Sequence, residues 1–411
     1  MQIAALDIGS QNIKVLVGDT KKDGTIRLLR ILKMPAEGMR RGTISDLDDA
    51  AASVGDAIQI LRKEYRVASK NIFVSVNGPQ VASHISKGII AVSRADSEIY
   101  QDDVDRVVKA SQAINISPNR KIIHTITREF IVDGIHDVQD PAGLVGSRLE
   151  VESVVIEVFA TYLKNLSRVI EVSGGRVGGF ILGSIASSRA ALTKKQKELG
   201  VAILDIGAQT AALSVYEESK LLHVAVLPIG AAHISNDVAI GFKIPVHEAE
   251  TLKLHFGYAL SKHVAPKEMV EPQTIAQGVL RNQISRRFLS EIVQSRLAEI
   301  FEFVNSELKQ IGKYGELPAG LVLVGGGAKL PGIADLARQE LRISTQIGIP
   351  LGSFEIVDNS YEAELEDPEF VCAAGLLLLG APIQSAGSFL PTAFGDSWFS
   401  FIKSFLKNLL P

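Results

Sequence analysis

Residues 3–18 read IAALDIGSQNIKVLVG, and residues 201–216 read VAILDIGAQTAALSVY. An offset of 198 aligns the two segments without a gap. Ala4, Leu6, Asp7, Ile8, Gly9, Gln11 and Val17 are matched by Ala202, Leu204, Asp205, Ile206, Gly207, Gln209 and Val215. Each copy is an apolar strand, an Asp-Ile-Gly-x-Gln turn and a second strand. Each opens one half of the chain, so the repeat predicts two related domains facing one another. Mixed strands and helices around two such halves give an α/β class with subdomain insertions.

The turn has a definite chemistry. Gly9 and Gly207 let the backbone bend closely around a ligand, and successive N–H groups can then point at phosphate oxygens. Asp7 and Asp205 end their strands. Two facing carboxylates repel unless something positive lies between them, and a hydrated Mg²⁺ bridging to phosphates fits, because Mg²⁺ takes few carboxylates and keeps its waters. One copy alone reads as an ordinary hairpin with a terminal Asp; the pair favours a nucleotide. A third turn supports this. Leu321–Val324 reads as a buried strand, Gly325-Gly326-Gly327 follows, and a helix is expected from Ile333 to Leu341. Backbone then approaches a ligand at the carboxyl end of a strand. No Gly-Lys-Ser/Thr follows, so this is not a P-loop.

The three turns together resemble the actin/Hsp70/sugar-kinase superfamily, in which two hairpins clamp phosphates and a third Gly turn meets the adenosine. Residues 140–150, Asp140-Pro141-x-Gly143-x-x-Gly146-x-Arg148-Leu149-Glu150, resemble the signature of a subdomain inserted in the first half of the FtsA family of bacterial division proteins. The segment from Gly88 to Ala110, with Asp103, Val104, Arg106 and Val107, resembles it too. Residues 229–257 resemble a family segment ending in AExxK, which would place Glu250 and Lys253 at ribose and adenine. Their spacing alone reads as an exposed ion pair on one helix face.

The resemblance spans nearly the whole chain and implies two actin/Hsp70-like halves clamping ATP with Mg²⁺, an inserted subdomain and a C-terminal amphipathic helix. The implied nucleotide residues are Asp7, Gly9, Ser10, Gln11, Asn12, Gly207, Ala208, Gln209, Thr210, Glu250, Lys253, Gly325, Gly326 and Gly327. Asp7 and Asp205 would hold the metal through water, and Asp205 is the catalytic candidate. Two departures bear on turnover. Ala208 and Ala212 stand where the family more often has Gly and Asp. Gly183 and Ser184 fall where many superfamily members orient the attacking water. Slow or absent hydrolysis is expected. The implied partners are the tail of the tubulin-like protein FtsZ, further copies of the chain in a filament, later division proteins and a membrane surface. The FtsZ tail would meet the 230–303 subdomain, with Arg281, Arg286 and Arg287 candidates to contact it or simply a solvated helix face. The place would be the cytoplasmic face of the cell membrane at the division site.

Strand-like runs include Ile3–Val17, Ile72–Val76 and Phe180–Leu182. Asp46–Tyr65 reads as a helix, with Leu47, Ala51, Val54, Ile58 and Leu61 at helical spacing. Ser285–Leu308 reads as a long amphipathic helix whose apolar positions, Phe288, Ile292, Leu297, Ile300 and Val304, form a core stripe. The expected division is a first core subdomain at 1–82, 161–198 and 356–380. The inserted subdomain takes 83–160. A second core subdomain takes 199–229 and 304–355, and its companion 230–303. A linker at 381–395 then precedes a helical tail at 396–411.

Composition narrows the rest. Of 411 residues 46% are hydrophobic, and 43 basic side chains face 46 acidic ones for a net charge of -3. That is globular composition without the basic excess that nucleic acid requires. The single cysteine, Cys372, excludes an internal disulfide and a cysteine-rich zinc site and fits a reducing compartment. No signal peptide is read at the N-terminus. Phe370–Ile383 is too short to span a bilayer and reads as a buried helix. In the tail, Asp396 or Ser397 caps a run in which Trp398, Phe401, Ile402, Phe405, Leu406 and Leu409 share one face, widened by Phe399 and Leu410. Lys403 and Lys407 lie among the polar positions and suit anionic headgroups. Such a helix lies on a membrane and does not cross it; docking on the protein's own core is the alternative. A pilus-assembly protein of the PilM type, a metabolic kinase and a chaperone are competing readings. No acceptor-side carboxylate base supports the kinase, and no peptide-binding domain the chaperone.

Overall fold

The computed structural model describes residues 2–21, 23–114, 116–270, 283–352 and 354–385. Each copy of the repeat sits at the centre of its own sheet. The first sheet has six strands in the order Val177–Leu182, Ile72–Val76, Gln2–Ile8, Asn12–Thr20, Ile26–Pro35 and Phe354–Ile356. The second has five, in the order Lys220–Leu227, Ala211–Glu217, Val201–Ile206, Leu321–Val324 and Thr345–Ile347. Both follow one plan. The strand ending in Asp-Ile pairs antiparallel with its hairpin partner on one side and parallel with a later strand on the other. Parallel strands covered on both faces read as unbroken apolar runs, and Ile72–Val76 is buried at every position.

The second sheet is a shared wall. Val201 and Ile203 join the core of the first half, whereas Ala202, Leu204 and Ile206 join that of the second. Strand side chains alternate faces, so one strand serves two cores.

Helix Leu47–Glu64 starts where expected: the Asp46 carboxylate accepts the N–H groups of Asp48 and Asp49. Helix Ile333–Leu341 follows the triple-glycine turn. Helix Val371–Ser385 is the apolar stretch near the end of the described chain. Residues Val371 to Leu377 are buried, and a side chain at Gly375 would meet the Ala186 carbonyl, which allows two helices to approach closely. This helix runs five residues into the stretch read as linker from 381. A proline within a helix removes one hydrogen bond and need not end it, and the helix continues through Pro382.

Helix Arg286–Gln310 turns a stripe to the core that differs in part from the one its spacing predicts. Its buried side is Leu289, Val293, Leu297, Ile300, Phe301, Val304 and Leu308, while Phe288 is 44% exposed. Phe288 stands 100° from Leu289 and so rotates out of the core, resting edge-on against Phe242 with centroids 5.3 Å apart.

Between strands Ile72–Val76 and Val177–Leu182 of the first half a separate sheet is inserted. Its order is Ala82–Ala91, Arg148–Phe159, Arg120–Val132 and Ile135–Val138, all antiparallel. Helix Gln101–Ser111 lies on it, and Val104, Val107, Val108, Phe130, Leu149 and Val151 form a core of their own. Asp103 is buried because it caps that helix, accepting the Tyr100 N–H at 3.0 Å and pairing with Arg106 at 3.2 Å. His124 ties this sheet to the first, accepting the Leu182 N–H at 3.0 Å. Lys220 reaches it from the second half, 2.5 Å from Asp137.

Candidate functional site

The two hairpin turns close with the same bond. Gly9 N–H donates to the Asn12 carbonyl at 3.0 Å, and Gly207 N–H to the Thr210 carbonyl at 2.9 Å. Ser10 and Gln11, like Ala208 and Gln209, form the tips outside that bond. Ala208 therefore leaves the turn intact. It is braced from behind, since a side chain at Gly230 would lie 2.5 Å from the Gly207 carbonyl and 2.8 Å from that of Ala208. Gly325 has φ +85°, where an L side chain is strained, and a Cβ there would also strike the Asp205 carboxylate.

These turns line one cavity of about 450 Å³ between the halves. All the nucleotide candidates named from the sequence line it: Asp7, Gly9, Ser10, Gln11, Asn12, Gly207, Ala208, Gln209, Thr210, Glu250, Lys253, Gly325, Gly326 and Gly327. So does Asp205. Trp398, Phe399, Phe401, Ile402, Lys403, Phe405, Leu406, Lys407, Leu409 and Leu410 lie outside the described residues, as does Arg281. Arg286 is engaged locally, donating to the Phe256 carbonyl at 3.0 Å and paired with Glu268. Arg287 pairs with Glu291.

A positive charge beside these carboxylates is supplied by a side chain absent from the sequence reading. Lys14 lies 3.2 Å from Asp7. Burial opposes its charge, but Asp7, Glu369 and Asp205 outweigh that and hold the ammonium above its ordinary value. Asp7 also accepts the Ser75 hydroxyl at 2.7 Å and the Asn77 amide at 3.1 Å. Asp205 accepts the Ser187 hydroxyl at 2.8 Å, and burial with the nearby Asp7 charge pushes it up to about 6. The hairpin register pairs Asp7 with Lys14 and Asp205 with Ala212. That register was the available signal, because a strand partner can be counted across a short turn.

Glu250 and Lys253 do not form an exposed pair. They are 2.7 Å apart, and Lys253 is 5% exposed. Lys253 also donates to the Ala231 carbonyl at 3.2 Å, and the Ser235 hydroxyl donates to Glu250. A buried ammonium needs such partners. Ile234, Leu254 and Leu330 give this end an apolar lining. Sequence reading missed Lys33, Asn77 and Glu369, which come from distant segments and carry no local signal, and Lys329, which ends the triple-glycine turn itself; Lys33 lies 2.8 Å from Glu369. The halves also touch at the rim, where the Arg41 N–H donates to the Gln209 side chain at 2.7 Å.

Two hairpin-centred sheets of one plan enclosing a cleft define an actin-like protein. The PilM–PilN type IV pilus biogenesis complex shares the fold at TM-score 0.66 and 17% identity, over 92% of this chain and 98% of that one. So does MreB5 of Spiroplasma citri bound to AMPPNP, at TM-score 0.55 and 12% identity, over 94% and 97%. The family model "Cell division protein FtsA" matches residues 202–375, and "SHS2 domain inserted in FTSA" matches 78–157. The cell division protein FtsA of Pseudomonas aeruginosa is 30% identical over 97% of this chain and 93% of its own length. That of Bacillus subtilis is 32% identical over 91% and 82%. The chain belongs to the FtsA family of actin-like cell division proteins.

Proposed function

We propose that the cleft binds ATP with Mg²⁺ and that nucleotide binding closes the two halves. The observation that carries this is the single cavity onto which both Asp-Ile-Gly turns and the triple-glycine turn open. The N–H groups at the turn tips and Lys14 suit phosphates, and Lys253, Glu250 and the apolar lining suit the nucleoside. Among the described residues no cluster of three or more His, Cys, Asp or Glu could hold a metal alone. Mg²⁺ needs none when phosphates and waters complete its shell. Asp7 is already paired with Lys14, whereas Asp205 has no ion-pair partner among the described residues, which favours Asp205 as the water-mediated metal contact. When bound, Mg²⁺ neutralises phosphate charge. Ser187 orients the Asp205 carboxylate, and Asn77 and Lys14 hold that of Asp7.

Hydrolysis is slow or absent on this reading, because Gly183 and Ser184 offer no carboxylate or amide for the attacking water. Titration calorimetry tests the site: binding is expected, and no heat with millimolar ATP–Mg²⁺ overturns it. Phosphate release faster than about one per second would contradict the slow turnover.

The same reading makes the chain a membrane tether for the FtsZ ring. Residues 396–410 would lie on the cytoplasmic membrane face, copies would polymerise there, and the FtsZ tail would dock on the 230–303 region. Among the described residues no helix is long and apolar enough to cross a membrane. Wild type should pellet with anionic vesicles, and Trp398→Glu/Phe405→Glu should stay soluble; equal pelleting of both, with the fold intact, removes the tail as anchor. PilM-type pilus assembly remains the second reading because of its fold likeness, but the FtsA relatives favour division.

A further inference from the structure

The end of the first sheet remote from the cleft carries a cationic surface that the nucleotide site does not use. Arg62 and Lys63 close helix Leu47–Glu64, and Arg66 and Lys70 follow in the turn leading into strand Ile72–Val76. Arg176 precedes the neighbouring parallel strand, and the two approaches are tied together: Arg176 N–H donates to the Ser69 carbonyl at 2.9 Å, and Ile72 N–H to the Arg176 carbonyl at 3.0 Å. All five cations are exposed, and none has an ion-pair partner within 4 Å among the described residues. The cations Lys21 and Arg27, by contrast, are committed to Glu355. The segments 62–70 and 171–176 contain only two acids, Glu64 and Glu171. Two apolar side chains stand out at the same end, Val67 at 52% and Val172 at 74% exposure.

The path of the chain indicates what lies opposite. Helix Val371–Ser385 begins beside the cleft, next to Glu369, and crosses the sheet toward its far end. Leu377 meets Gly18, the register partner of Ile3, and Gly380 meets Phe73 in the strand that Lys70 leads into. The remaining 26 residues, which contain the apolar and lysine-bearing tail, are therefore paid out from the end that bears the cations.

We propose that Arg62, Lys63, Arg66, Lys70 and Arg176 form a second membrane contact, facing the anionic headgroups of the same bilayer on which the tail lies. This rests on the tail being a membrane anchor. Unpaired cations beside the point where the chain meets the bilayer fall within a Debye length of its surface charge. Their contact adds affinity through effective concentration, since the tail holds the patch at the surface. It also orients the molecule, with the nucleotide cleft away from the lipid.

The test uses the full chain with Lys63→Gln/Arg66→Gln/Lys70→Gln and, separately, the tail variant Trp398→Glu/Phe405→Glu. Vesicles contain either phosphatidylcholine alone or about one-third phosphatidylglycerol, and co-sedimentation is titrated with lipid. An unchanged melting temperature certifies the fold. At about fivefold per cation engaged, the patch variant should lose at least tenfold in affinity on the anionic vesicles and equal wild type on the neutral ones. Equal affinity of patch variant and wild type on anionic vesicles overturns the proposal and assigns the cations to another partner. A failure of the tail reading shows separately, as a tail variant that pellets like wild type. Wild type that stays in the supernatant with both compositions overturns both.

Discussion

At the residue scale the site is a problem in charge balance. Lys14 pairs with the buried Asp7 carboxylate, and removing one partner of a buried pair costs more than the pair contributes. Lys14→Met should therefore lose about 3 kcal/mol in urea unfolding, with Ser75 and Asn77 still solvating Asp7. Asp205 has the opposite sign. Its pKa is raised to about 6 from the ordinary value of 3.8, so the folded state binds the proton more tightly. That contribution is fully present below pH 3.8 and is lost as pH rises through 6. Without nucleotide, Asp205→Asn should then stabilise the protein by about 1–2 kcal/mol at pH 7.5 and by little at pH 4. Melting curves at the two pH values check the difference. The same variant should gain less stability from ATP–Mg²⁺ than wild type does.

At the element scale, the inserted sheet joins the first through apolar packing and a buried polar anchor. His124 is buried in the inserted sheet, and burial pushes its imidazole down to about 3, so the neutral ring accepts the Leu182 N–H. The unfolded chain binds this proton near 6.5, so its contribution is full above pH 6.5 and lost as pH falls toward 3. His124→Ala leaves the Leu182 N–H without that acceptor and should cost about 2 kcal/mol at pH 7.5. The cost should shrink on acidification, which a pH series of urea midpoints would show. The helices needed less help. Asp46, the acidic first turn and the spacing of Val54, Ile58 and Leu61 mark one clearly enough to read from sequence. Phe288 misled because helical spacing leaves the edge of a stripe undefined.

At the scale of the whole molecule, the two halves meet around the cleft and at the Arg41–Gln209 bridge. A ligand that contacts both halves binds the closed arrangement better and shifts the population toward it. Small-angle scattering of wild type should show a smaller radius of gyration with ATP–Mg²⁺. Gly325→Ala, whose Cβ meets the Asp205 carboxylate, should give no such change. An unchanged radius for wild type would mean that the nucleotide, if bound, does not close the cleft.

The sequence by itself determined the two-half plan, the helix starts and the glycine turns, because these are local: a strand–turn–strand repeat, an N-cap and a Gly run are written in adjacent residues. It named the three glycine-bearing turns that line the cavity for the same reason. Only the tertiary structure decided what stands between those turns. Lys33, Asn77, Ser187 and Glu369 reach the site or its carboxylates from separate segments, and nothing in their neighbours' identities fixes that meeting. The burial of Lys253 and the cationic far end belong to the same class. Solvent exposure and the balance of charge depend on which surfaces the fold presses together, and a linear pattern does not encode that.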